Sequence, residues 1–504
     1  MVRITLFKTL PLLTVAVLFA FQPLQKWDSK FVKANPDGSL QYIPDEKGNI
    51  LPDFSRVGYY RGDKTIPVIP VVKTISPGNG DNQEAIIQAA INEVAAMPLD
   101  ANGFRGTLLL QKGTYNIPGT IRINASGIIL RGEGNDTRLV ATGKGQRTLI
   151  NVSGSGNVQE VQGTRTAITD TYVPTGAKSF RVQSAAGYKA GDNIILFRPG
   201  TEAWIKDLKM DQIEERDGTK QWIPKEYDFS FERIITKVEG NTITIDNPVV
   251  MAMEPRYGGG AIFKYTFNNR INHVGIEQLY CESAYSSDTA EDHGWNAIMF
   301  NKIENGWITN VTSRYFGYAC VNIGYQAKWI TVDHCTSLDP KSQITGSRRY
   351  SFNNDGQQNL VMNCRATEGR HDYVTGAKVC GPNVFYNCTA ENTHADIGPH
   401  HRWAMGTLYD NIVTDGEINI QDRGNWGSGH GWSGVTQILW NCTAKRAAVQ
   451  SPWACGKNYC IGLKGGQYDG RFKGRPNGEW EGQNKEGLQP PSLYMAQVKA
   501  SRKQ

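Results

Sequence analysis

Across the second half of the chain, apolar runs of four or five residues end at a recurring three-residue motif: a lead residue, then Asn or a substitute, then Cys or an apolar residue. The middle residues are Tyr280, Asn310, His334, Asn363, Asn387, Asn411 and Asn441; those that follow are Cys281, Val311, Cys335, Cys364, Cys388, Ile412 and Cys442. Steps of 30, 24, 29, 24, 24 and 30 residues separate them, a base period of 24 with insertions of five or six that surface loops absorb. Strand-like runs such as Trp307–Thr309, Leu360–Met362, Val384–Tyr386 and Ile438–Trp440 precede the motif without an intervening helical pattern. The repeat therefore predicts a β-solenoid with one coil per period, equivalent residues stacking about 4.8 Å apart. On this reading the five ladder cysteines are buried small hydrophobes. The Asn ladder is structural, its amides bonding from coil to coil. Cys455 and Cys460, in a loop-like run, form a candidate disulfide.

The first half reads as the start of the same solenoid. Residues 81–94 have apolar positions at helical spacing behind an N-cap at or near Asp81, and this helix can cover the open end. Runs at 106–115 and 121–134 are short strands with glycine corners, whereas about 165–265 breaks the pattern and reads as an inserted β excursion able to reach over the solenoid's side. Arg3 and Lys8 followed by the apolar stretch Leu10–Phe21 predict a secretory signal over 1–24, and no later stretch approaches a membrane span. The expected order is signal (1–24), N-terminal extension (25–67), β-helix (68–470) and C-terminal tail (471–504), in a secreted or periplasmic protein.

Composition agrees with an all-β chain: 54 glycines in 504 residues and 20% charged residues suit many short strands. The net charge of +6 is too mild to argue for a nucleic-acid partner, so the location of the basic residues decides. Gly80–Asp81 with the helix after it, the run at 106–115 and Arg131–Gly134 together resemble the pectate-lyase-like β-helix superfamily over about 68–445. The resemblance implies a right-handed parallel β-helix with an N-terminal capping helix and carbohydrate chemistry. It does not choose a reaction, since that fold hosts lyases, hydrolases and epimerases. The basic residue and calcium-binding carboxylates of well-known lyase families have no match in this chain.

Six of the eight histidines lie between 334 and 430, amid arginines and aromatic rings. Subtracting the period places Lys378 near Arg402, Arg370 near His394, His400 near His430 and Asp372 near Asp396. A basic, aromatic groove crossing four coils suits an acidic polysaccharide, cations holding the uronate carboxylate and aromatic faces taking sugar rings. The catalytic candidates are His401 or His394 as base, Tyr373 as acid or co-base, and Arg402 with Arg370 as neutralisers. Binding candidates are Arg348, Arg349, Arg370, His371 and Lys378, then His400, Trp403, Arg423, Trp426, His430 and Trp432; Tyr350 belongs to the same cluster without an assigned role. No cofactor is expected: zinc spacing is missing, and calcium lacks a clear ligand set. The rival readings are a glycoside hydrolase using Asp372, Asp396 or Asp422, and a carbohydrate-binding protein without catalysis.

Overall fold

A computed structural model describes residues 25–502; the expected signal falls outside the described residues. The chain winds as a right-handed parallel β-helix whose rungs form one 29-stranded sheet. The strand Trp307–Thr309 pairs with Thr331–Asp333, and successive coils continue through Leu360–Met362, Val384–Tyr386, Leu408–Asp410 and Ile438–Trp440. Ile308, Val332, Val361, Phe385, Tyr409 and Leu439 stack inside the main core. On the outer face of the same strands, Leu360, Val384, Leu408 and Ile438 are covered by Val32, Leu51, Phe54 and Val57 and by the C-terminal helix Leu493–Ser501. Burial on both faces explains why these strands read as unbroken apolar runs rather than alternating ones.

The motif marks a turn with a specific backbone demand. Asn310, His334, Asn363, Asn387, Asn411 and Asn441 all have φ between 51° and 56°, the left-handed region that Asn tolerates better than most side chains. Amide bonding along the ladder is piecewise: Asn387 donates to Asn363 (2.7 Å), Asn363 to Asp333 (2.8 Å) and Asn441 to Asn411 (2.9 Å). One alignment needs correction. Glu277 pairs with Thr309 and Leu279 with Val311, so Gln278 (φ 54°), not Tyr280, occupies the turn, and Cys281 faces Ser313. A two-residue slip preserves the inward–outward alternation, so the apolar pattern alone cannot detect it, and Cys281 is buried in either register.

All nine cysteines are free and buried. Cys455 and Cys460 are not bridged because they serve different cores: Cys460 stacks on Leu439 inside the solenoid, while Cys455 packs under the excursion beside the Arg198 guanidinium. The capping helix runs Glu84–Ala96, three residues later than the expected start, and buries Ile87, Ala90, Ile91 and Val94. Gln83 stitches it down, accepting from the Asn116 N–H and donating to the carbonyls of Gly78 and Gly80.

The excursion leaves the solenoid after Arg147–Ser153, forms a seven-stranded antiparallel sheet, and rejoins at Ile271–Asn272. Buried Glu232 fastens it: its carboxylate takes both Arg270 Nη atoms (2.6 Å each), Lys328 Nζ (2.7 Å) and the Tyr265 hydroxyl (2.5 Å). Those two cations hold the carboxyl far below its ordinary range although burial pushes the other way.

Candidate functional site

The coils bring the expected neighbours together. The Lys378 N–H donates to the Arg402 carbonyl (2.9 Å), His394 N–H to Gly369 O (2.9 Å), and Val374 pairs with Gly398, which puts Asp372 level with Asp396. At one corner four imidazoles and a phenol converge. Ring centroids lie 4.5 Å apart for His371–His400, 5.1 Å for His400–His401 and for His400–His430, and 4.9 Å for His401–His430 and for Tyr350–His371. The Tyr350 hydroxyl is 3.1 Å from His400 Nε2.

One histidine has a tautomer that geometry dictates. His371 Nδ1 lies 2.7 Å from the Asp396 carbonyl oxygen, which can only accept, so Nδ1 carries the proton and buried Nε2 is a bare acceptor without a partner. Asp396 in turn ion-pairs with Arg423. Among the described residues, buried Nδ1 atoms of His400, His401 and His430 likewise have no hydrogen-bond partner, and neither does Arg370 Nη1. Burial, reinforced by neighbouring histidines and arginines, pushes every one of these imidazoles down: His401 to about 3, His371 and His430 to about 4, and His400 strongly downward. The corner is thus a set of neutral imidazoles beside cationic guanidinium groups, with several buried nitrogens left unpartnered among the described residues. Tyr350 is pushed up by burial and pulled back by Arg370 and Arg423.

Several expected residues sit elsewhere. Tyr373 lies inside the solenoid, stacked on Phe352, its hydroxyl donating to the Cys364 and Thr389 carbonyls, so it cannot serve as acid or co-base; inward strand parity puts it there. Trp403 and Trp432 are fully buried under the excursion against Trp204, Met251 and Leu208, and offer no face to a sugar. Arg349 is buried on the carbonyls of Ser342 and Glu368, Arg348 pairs with Glu291, and Lys378 reaches away to the Glu226 carbonyl. His394, on the rim, bonds Glu368 at 2.9 Å. It lines a cleft of about 470 Å³ with Asp396, Glu417, Trp426 and Arg471, the Arg423 and Arg471 guanidinium groups each lying over the Trp426 ring. Arg402 bonds Ser428 at the mouth of the corner, on the glycine-rich loop that carries His430.

The carboxyl groups expected of a hydrolase are engaged. Asp422 is buried on Arg475 (2.7 Å) and the Gly424 N–H; Asp396 holds Arg423 and His371. Asp372 is buried with Ser351 Oγ at 2.6 Å, and burial pushes it up to about 7. Among the described residues no three His, Cys, Asp or Glu side chains are arranged to hold a metal ion. The sequence reading left Tyr350 without a role; its aromatic equivalents one and two coils earlier, Tyr318 and Trp295, were the available signal.

No family model matches the chain, nor does any curated protein. Solved structures similar to it include the tailspike protein gp49 of Pseudomonas phage LKA1, 17% identical over 75% of this chain and 56% of that one, with a TM-score of 0.42. The tailspike of E. coli bacteriophage HK620, in complex with a pentasaccharide, is 10% identical over 78% and 54%, with a TM-score of 0.41. An alginate lyase from a Paenibacillus species is 10% identical over 83% and 99%, with a TM-score of 0.37. The chain spans little more than half the length of the two tailspikes.

Proposed function

We propose that the chain is an exported lyase that cleaves an acidic, uronate-containing polysaccharide by β-elimination at the Tyr350–His400–His401–His430 corner. The observation that carries the reading is the pairing of opposites there: neutral imidazoles and a phenol beside Arg370 and Arg402, while the nearby carboxylates are already bound to partners. A hydrolase needs two working carboxyl groups astride the bond. A lyase needs a cationic seat for the uronate carboxylate, a base for the C5 proton and an acid for O4.

Arg370 and Arg402 seat the carboxylate. His401 Nε2 takes the proton from C5, the electron pair becomes the C4–C5 double bond, and the C4–O4 bond breaks as O4 accepts the Tyr350 proton. His400, hydrogen-bonded to Tyr350, holds the phenol in place, and Asp396 fixes the His371 ring behind it. A histidine depressed to about 3 is by itself a feeble base. The substrate's own carboxylate raises it toward neutrality, so the anion that is bound also activates the base.

Incubating the protein with a panel of acidic polysaccharides, while following unsaturated-uronate absorbance and reducing ends, tests this. Both signals should rise together, and a methyl-esterified version of the same polymer should be cut at least tenfold more slowly. Reducing ends without unsaturation would replace the lyase with a hydrolase.

A further inference from the structure

North of the corner, toward the capping helix, the outer face of one sheet carries side chains of a different character. Its strands Gly294–Asn301, Ala319–Ile323 and Phe352–Asn354 pair in parallel, with Met299 opposite Asn322 and Asn322 opposite Asn353. An amide ladder runs along this floor: Asn296 donates to Thr148 (3.1 Å), Asn322 to Asn296 (3.3 Å), and Asn353 to Asn322 and Asp355 (3.0 Å each). Along one edge Trp295, Tyr318 and Tyr350 form a staircase of nearly parallel rings, 6.4 and 5.1 Å between centroids, with Trp295 and Tyr318 half-buried. The staircase ends at the Tyr350 that bonds His400, so the strip opens directly into the reaction corner.

The charge on this strip is opposite to that of the corner. Half-buried Asp355 accepts from Asn353 and from the Gly376 N–H (2.9 Å), bonds that partly offset the upward push of burial on its carboxyl, and among the described residues no cation forms an ion pair with it. Tyr318 across the floor is close enough for Asp355 to push its hydroxyl upward, after burial. A second uronate lying here would set its carboxylate against Asp355, which has no ion pair among the described residues. Amides, by contrast, present both donors and acceptors, which suits sugar hydroxyls.

We propose that this strip is a binding subsite for uncharged sugar units, so that the substrate is a heteropolysaccharide in which the uronate cleaved at the corner is flanked by neutral residues, and that Asp355 excludes polyuronate runs. The proposal rests on the corner being the seat of a uronate. Its consequence is selectivity: a polymer alternating uronate with neutral hexose is degraded faster than a homopolyuronate.

Calorimetric titration with a neutral hexose tetrasaccharide and a tetrauronate, on wild type, Asp355→Asn and Asn322→Leu, separates the two claims. Asp355→Asn keeps the size of the side chain, and unchanged circular dichroism and melting temperature establish that each variant is folded; Asn322→Ser replaces Asn322→Leu should the latter fail. Asp355→Asn should tighten tetrauronate binding at least fivefold and narrow the rate preference for the alternating polymer. Asn322→Leu should weaken the neutral tetrasaccharide at least tenfold. Tetrauronate affinity unmoved by Asp355→Asn, or neutral-sugar affinity unmoved at Asn322, overturns the subsite. Binding shifts as expected, without unsaturated product from any polymer, would overturn the β-elimination reading and leave the subsite standing.

Discussion

Two corners of the same coils follow opposite rules. At the turn bearing Asn310, Asn363, Asn387, Asn411 and Asn441, successive coils repeat one residue type at one backbone conformation, and the side chains bond to one another. At the corner bearing Tyr350, His371, His400 and His430, a phenol and imidazoles from successive coils pack ring against ring, and several polar atoms buried there lack partners among the described residues. At the Asn turn the stacked side chains bond to one another rather than to a ligand. At the second corner the unpartnered atoms are what a bound ligand would complete.

The sharpest way to break this contrast is to remove a group from the second corner. Tyr350→Phe or His401→Ala should lower kcat by roughly 10²–10⁴-fold with melting temperature nearly unchanged; rates near wild type in both would remove the corner from catalysis. Glu232→Ala tests whether the excursion that roofs Trp403 and Trp432 is held by one buried carboxylate. Losing it strands Arg270 and Lys328, at about 3–5 kcal/mol in denaturant-induced unfolding.

Acidity sharpens the comparison next. The four imidazoles have folded pKa values below the unfolded value of about 6.5, so the unfolded chain binds more protons and their stabilisation, complete above that pH, is lost as pH falls from 6.5 toward 4. Asp372 and Asp410, pushed up to about 7, act in the opposite sense, their contribution fading as pH rises toward 7. Melting temperature should therefore drop on acidification through that window, less steeply in His401→Gln; parallel curves would deny that His401 is buried neutral. The smallest effect belongs to the Asn turn. Asn387→Ala should cost about 1 kcal/mol and Asn387→Gly less, because the left-handed backbone is what the position requires, with turnover unaffected in both.

Much of the solenoid was legible in the chain. A period near 24 residues, strand-like runs and recurrent Asn report a coil directly, because stacking makes each coil's inside and turns face the same constraints. The same arithmetic brought His400 beside His430 and Asp372 level with Asp396. It failed where a slip of two residues left the alternation intact, at Tyr280 and Gln278. It also failed on residue roles: Tyr373 follows Arg370–His371–Asp372 and Tyr350 follows Arg348–Arg349 in the sequence, yet strand parity turns one into the core and the other outward.

The sequence alone determined the coil, its period, the core ladder and the stretch of chain where histidines, arginines and aromatic rings gather, since each depends on spacing along the chain. Tertiary structure alone decided which members of that stretch are free to act. The excursion folds back over Trp403 and Trp432, separate cores part Cys455 from Cys460, and ion pairs occupy Asp396 and Asp422. These outcomes depend on contacts between residues far apart in the chain, and the repeat carries no trace of them.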